Sequence, residues 1–311
     1  MFFSSPQRAA LISVGSNTLL VAAKIAVAVL SGSAALLSEA LHSGLDLLAS
    51  FIAWLSLRFA AHPPDREHPY GHGKWENISA FLEGLLILAV AVWVFYEAAQ
   101  RFVSPVIITH LRLAMGVLGG SALVNVLVSW TLKRSARRFD SVALEADAAH
   151  LSTDVFTSIG ALAGLGGYYL TRNPLFDTGA AVLVGAIIFA IGIKVSHGAL
   201  QGLLDTRLPV EEEETVREIV SQITPHLELK DIVSRKAGPV RYLDLTLTVC
   251  RWETLDQIHQ LCDNLEERIA VRFPGARIFI HPEPCLLQQQ TQNAATCDCP
   301  LRLNVSYPIK E

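Results

Sequence analysis

The stretch "HSGLD", residues 42–46, returns about a hundred residues later as "HLSTD", residues 150–154, and each lies inside a long apolar run. On a helix, positions i and i+4 share a face. His42 and Asp46 therefore point the same way, and so do His150 and Asp154. An ionisable group inside a membrane costs roughly 3 kcal/mol or more, and such groups line functional cavities. If the two helices face each other, two imidazoles and two carboxylates converge. Four N/O ligands in a tetrahedron suit Zn2+. The ion also relieves the cost of isolated charge, since two carboxylates neutralise a dication. The plainer reading is that each pair only bonds one helix to another, but the same pair on two helices favours the metal. Glu39, Glu145 and Asp147 lie near the pairs as polar neighbours, and Asn17 and Asn125 read as interhelical hydrogen-bonders.

The surroundings of the two pairs are membrane-like. The chain has 311 residues, 51% hydrophobic and 17% charged, with a mean hydropathy of +0.38. A soluble chain carries about 25% charged residues. The charges are sparse up to about residue 203 and dense beyond it. A membrane half followed by a soluble half is expected. The net charge of −4 argues for no nucleic-acid partner. All five cysteines (Cys250, Cys262, Cys285, Cys297, Cys299) fall in the second half, an odd count that suits reduced thiols. The first residues show no cleavable signal pattern.

A spanning helix needs about 20 mostly apolar residues. Six stretches qualify: 9–30, 33–60, 78–103, 111–132, 142–170 and 175–200. Lys and Arg in the connectors are unequal. Arg8, Arg58, Arg66, Lys74, Lys133, Arg134, Arg137 and Arg138 fall on one side, with Arg101, Arg112 and Arg172 on the other. The richer side is expected to be cytoplasmic. That places both termini and the 61–77 and 133–141 connectors in the cytoplasm.

Residues 204–285 alternate helix and strand signals in the order αββαβ, a small two-layer α/β domain. "PVEEEETVREIVSQI" opens with Pro and acids, as a helix N-terminus does. Along 240–249, Leu243, Leu245, Leu247 and Val249 alternate with Tyr242, Asp244, Thr246 and Thr248, a half-buried strand. In the following helix Leu255, Ile258, Leu261, Leu265 and Ile269 share a face. "ARIFIHPEP" is a last strand, stopped by proline. Residues 286–311 read as a poorly ordered tail with a Cys-x-Cys at 297–299.

Two further clusters carry metal-binding residue types. "DREHPYGHG" offers Asp65, His68 and His72 in a loop whose prolines and glycines allow a tight turn. "HPEP" places His281 and Glu283 two apart on one face of a strand, with His259 on the preceding helix. His62 reads as structural.

Together these motifs resemble the cation diffusion facilitators, a family of divalent-metal/proton antiporters. The likeness covers about residues 8–285 and rests on the two His-x-x-x-Asp pairs, "DREHPYGHGK" and "FPGARIFIHPEP". It implies a six-helix membrane domain, a cytoplasmic metallochaperone-like domain and a homodimer, and a short chain without a targeting segment suggests the plasma (inner) membrane of a bacterium. It implies that His42, Asp46, His150 and Asp154 form the transport site, that Asp65, His68 and His72 form a loop site, and that Lys74 pairs with Asp205. The sequence departs from the family in the cytoplasmic domain. Lys230 and Thr246 stand where histidines are expected, leaving His259, His281 and Glu283 for a reduced site. The function expected is export of a divalent transition metal, Zn2+ first, with Fe2+, Cd2+, Co2+ and Mn2+ as alternatives. A metal sensor without transport and an intramembrane metalloenzyme are the readings from other classes. The latter lacks a His-Glu-x-x-His and an open coordination position.

Overall fold

The computed structural model describes residues 4–31, 34–103, 111–171, 175–223 and 228–285. The chain divides into two compact units, 1–203 and 204–311. The first is all helix: α1 (Pro6–Ser31), α2 (Ala34–Ala60), α3 (Trp75–Val103), α4 (Leu111–Phe139), α5 (Val142–Thr171) and α6 (Leu175–Leu203). Among the described residues, four spans (6–30, 40–60, 75–100 and 178–203) are long and apolar enough to cross a membrane by composition. Leucines and aromatic residues such as Leu19, Leu45, Trp93, Leu127 and Trp130 lie exposed on the helices of this unit, as lipid-facing side chains do.

The helix expected over 111–132 runs on to Phe139, so "KRSARRF" is helical and not a connector. Lys and Arg are good helix formers, and at a C-terminus they suit the helix dipole. The turn comes at Asp140, where φ is +52°. Ser141 then starts α5. Its hydroxyl accepts from Leu144 N at 3.3 Å and donates to Glu76 Oε2 at 2.5 Å, which ties the ends of α3 and α5 together.

Helix α5 packs against every other helix of this unit. On one side Leu144, Ala148 and Leu151 join Ala9, Leu57, Val128 and Leu132 of α1, α2 and α4. On the other, Ala146 packs with Ala80 of α3 and Ala199 of α6. Small residues let α3 and α6 approach closely, as is common where helices pack within lipid. A Cβ placed on Gly84 would sit 3.0 Å from Ser196 Cα, and one on Gly192 would sit 3.1 Å from Leu88 N.

The second unit holds α7 (Val210–Ile223), β1 (Glu228–Ala237), β2 (Val240–Val249), α8 (Leu255–Arg272) and β3 (Arg277–Pro284). The αββαβ order stands as read. The sheet order is β1-β2-β3, with β1 antiparallel and β3 parallel to β2. Leu243, Leu245, Leu247 and Val249 all face the core. Tyr242 is buried too, because the Arg235 guanidinium lies 4.3 Å over its ring. Prolines did not stop β3, which runs through Pro282 to Pro284. It is an edge strand, where a missing N–H is tolerated.

On α8, Thr254 caps the N-terminus in a reciprocal bond with Gln257. Leu261, Leu265 and Ile269 are fully buried and Ile258 partly. Leu255 does not belong to that face: it is 84% exposed, at the first helical position, before the packed face begins. Arg207 and Ser234 both donate to the buried Glu213 carboxylate, and Leu208 N donates to Ser234 Oγ. This network stitches the start of the unit to α7 and β1. The tail, with Cys297 and Cys299, lies outside the described residues.

Candidate metal centre

Helix α2 carries His42, half-buried, and Asp46, buried; α5 carries His150, buried, and Asp154, half-buried. Donor atoms of His42, Asp46 and Asp154 lie within 4.8 Å of one another. His150 adjoins them, with Nε2 3.3 Å from Asp46 Oδ1. The two i,i+4 pairs do face each other.

Each aspartate is approached from a third helix, Asp46 at its backbone and Asp154 at its carboxylate. Asn17 of α1 donates to the Asp46 backbone carbonyl at 3.3 Å and to Ser50 Oγ at 3.2 Å. Asn125 of α4 donates to Asp154 Oδ2 at 3.4 Å. Both asparagines are interhelical bonders, but their partners are site residues. Such partners orient ligands and tune them. Ser129 of α4 bonds the Ala148 carbonyl at 2.8 Å, fixing α5 one turn from the site. Three buried polar groups of this unit escaped the sequence reading. Lys24 donates to Ser43 Oγ at 2.6 Å, next to His42. Ser13 donates to Asp147 Oδ1 at 3.0 Å. Glu83 of α3 is 1% exposed. Their one signal was a charge or hydroxyl within an apolar run, which does not say where it points.

Asp65, His68 and His72 also come together. Asp65 Oδ1 accepts from the backbone of His68 at 2.6 Å and Glu67 at 3.0 Å. His68 Nδ1 lies 3.3 Å from Asp65 Oδ1, and His72 Nε2 lies 3.4 Å from Oδ2. Gly71 at φ +86° makes the turn that brings His72 back. The backbone N–H of His68 holds the Asp65 carboxyl below its ordinary range. The loop thus keeps an ionised oxygen between two imidazoles.

The third cluster is not assembled. Glu283 Oε2 is taken by Lys230 Nζ at 2.6 Å. The Lys230 ammonium holds the Glu283 carboxyl low, and Glu283 raises Lys230 in turn. His281 sits beside Thr246 in the sheet register. His259 is exposed, 3.7 Å from Asp263. Among the described residues, these three form no metal-capable group. The physical reason is that a lysine brings its own cation to the carboxylate. Lys74 donates to the Leu203 carbonyl at 3.2 Å, and Asp205 accepts from Arg235 at 3.1 Å within its own unit. Among the described residues, Cys250, Cys262 and Cys285 form no disulfide. Burial, with Glu266 and Asp263 nearby, pushes Cys262 up to about 11.

Residues 10–204 match the cation efflux transmembrane domain, and residues 208–285 match the cytoplasmic domain of cation efflux proteins. The chain belongs to the cation diffusion facilitator family. It is therefore a membrane transporter for divalent cation efflux, not an enzyme, which sets the intramembrane metalloenzyme aside. An uncharacterised transporter of Synechocystis, sll1263, is 31% identical over 279 residues, 88% of this chain and 89% of the relative. The cation-efflux pump FieF of Escherichia coli is 29% identical over 282 residues, 89% of this chain and 92% of the pump. A solved chain of CzrB is 39% identical across 25% of this chain and 98% of its own, with a TM-score of 0.24.

Proposed function

We propose that this facilitator exports Zn2+ from the cytoplasm in exchange for protons, by alternating access of one intramembrane site. The observation that carries the reading is the convergence of His42, Asp46 and Asp154 on one point, with His150 against Asp46. Two imidazoles with two carboxylates favour zinc or cadmium over magnesium and calcium, which take oxygen ligands. Zn2+ is substrate here, not a resident cofactor. A ligating imidazole must be neutral, so metal arriving from the cytoplasm displaces protons from His42 and His150. After reorientation, protons from the far side return to the imidazoles and expel the ion. The loop trio Asp65, His68 and His72 is a second metal site, outside that path. The working unit is a homodimer in the plasma membrane, with both termini in the cytoplasm.

Flux into proteoliposomes, run over Zn2+, Cd2+, Fe2+, Co2+ and Mn2+ with an imposed pH gradient, tests this. Zinc uptake stimulated by the gradient is expected. Stronger flux of another ion would move the substrate to that metal. Metal binding without flux of any ion would leave a sensor.

A further inference from the structure

Helix α4 is longer than a membrane requires. Its 29 residues rise about 43 Å at 1.5 Å per residue, against a hydrocarbon core of about 30 Å. Counted from Leu111, about 20 residues cross that core and bring Trp130, 62% exposed, to its edge. An indole suits that depth, with its ring among the acyl chains and its N–H toward the headgroups. The last two turns, "KRSARRF", then stand in the headgroup layer.

Those turns have two faces. Leu132, Ser135 and Ala136 are buried, and Leu132 and Ala136 share a core cluster with Ala9 and Ala10 of α1 and Leu57 of α2. Lys133, Arg134, Arg137 and Arg138 are exposed. Offsets of one, four and five residues put these four along one side of the helix. The Arg134 guanidinium lies 5.8 Å over the Trp130 ring, which holds it at the edge of the acyl layer. The end of α2 repeats the arrangement, with exposed Arg58 5.2 Å over Trp54. Gln7 of α1 donates to the Leu57 carbonyl at 3.1 Å, so Arg8 and Arg58 belong to the same end of the bundle.

Little negative charge answers these cations. Among the described residues, Arg8, Arg58, Lys133, Arg134 and Arg137 make no ion pair with an acid. The acids at this end are Asp140, half-buried, Glu145, exposed, and Glu76, which is buried and accepts from Ser141. Membrane topology asks only for cations near a span. It asks neither for a helical frame nor for guanidiniums stacked on interfacial indoles. Below the stripe the same side of α4 is apolar. Leu123, Leu127, Trp130 and Arg134 follow at helical spacing on one face, with Leu123 63% and Leu127 59% exposed. The surface thus changes along its length from acyl-facing to cationic.

We infer that this side of α4, with Arg58 and Arg8 beside it, is a docking surface for an anionic phospholipid. The headgroup phosphate sits at Arg134 and Arg137, whose forked N–H groups match its oxygens. The acyl chains lie along Leu127 and Leu123. A free phosphate would use the stripe and leave the apolar part of the same face idle, so the lipid fits the whole surface. Neither the identity of the transported ion nor proton coupling enters into this binding.

Native mass spectrometry of the purified full-length protein tests it. Titrated with phosphatidylglycerol or with phosphatidylcholine of the same acyl chains, wild type should hold the anionic lipid severalfold more tightly. Raising the ammonium acetate concentration should narrow that difference. The double variant Arg134→Gln/Arg137→Gln should bring the two affinities close together. Arg134→Lys/Arg137→Lys, which keeps the charge, should retain most of the preference. Inorganic phosphate should fail to displace phosphatidylglycerol. Equal affinities in wild type overturn the docking surface, and so does a preference undiminished in the glutamine variant. Displacement by inorganic phosphate overturns the lipid as occupant and leaves a simple anion site. If the glutamine variant does not fold, the wild-type comparison and its salt dependence still decide.

Discussion

At the proposed transport site Asp46 and Asp154 would each serve twice, as a donor oxygen and as the negative charge that lets a dication sit in lipid. Removing either should stop transport while leaving the helices packed, because the backbone bonds and small-residue contacts around them remain. Asp46→Ala and Asp154→Ala are therefore expected to elute as wild type on size exclusion and to show no zinc flux. Near-normal flux in either would discard the site. His42 sits at the half-buried end and is the residue at which selectivity is most open to change. His42→Asp replaces a borderline nitrogen with a hard oxygen. The ratio of manganese to zinc flux should rise, and an unchanged ratio would show that α2 does not set selectivity. The loop trio is expected to behave otherwise. His68→Ala and His72→Ala should weaken metal binding at the loop, read by titration calorimetry, yet retain measurable flux.

Between elements, the close seams decide stability. Helices α3 and α6 meet where Gly84 leaves room for Ser196 backbone. A methyl group there must displace a helix, so Gly84→Ala should cost about 1–3 kcal/mol, as overpacking does. A lower melting temperature of the purified protein checks this. In the cytoplasmic unit Glu213 joins Arg207 to Ser234. The Arg207 guanidinium holds its carboxyl below the ordinary range. The folded state thus favours the ionised form. Its contribution is fully present at neutral pH, above the ordinary carboxylate value of about 4.3. It is lost as pH falls through the lowered folded value. Glu213→Ala should cost roughly 2 kcal/mol, the scale of hydrogen bonds to a charged group. Faster amide exchange in β1 at neutral pH, converging with wild type in acid, is the expected signature.

At the scale of the whole molecule, two features can be read from outside. The asymmetry of Lys and Arg predicts that the 61–74 loop faces the cytoplasm. Tyr70 is 65% exposed on that loop. A Tyr70→Cys variant, with its exposed native thiols replaced, should react with a membrane-impermeant maleimide only from the cytoplasmic side. Labelling from the opposite face would invert the topology. The cytoplasmic unit carries a Lys230–Glu283 ion pair where the reduced site was expected. Its fold should therefore be indifferent to chelators. Amide exchange across β2 and β3 unaltered by metal removal is the expected result, and a loss of protection would place a structural ion there.

What the sequence determined by itself is what covalent spacing controls. An i,i+4 pair must share a helix face, alternating leucines must share a strand face, and a run of apolar residues must leave water. From these came the six helices, the αββαβ order, the pairing of His42 with Asp46 and of His150 with Asp154, and the Asp65, His68 and His72 loop. What only the tertiary structure decided is what depends on distances between elements. That Asn17 and Asn125 turn to the site, that Glu283 spends its charge on Lys230, and that Glu83 and Asp147 are buried between helices are all consequences of how helices and strands pack. A sequence carries no such distances. Whether a buried carboxylate is a metal ligand, half of an ion pair or a proton carrier depends on the atom across the interface, because desolvation leaves that partner to set its charge.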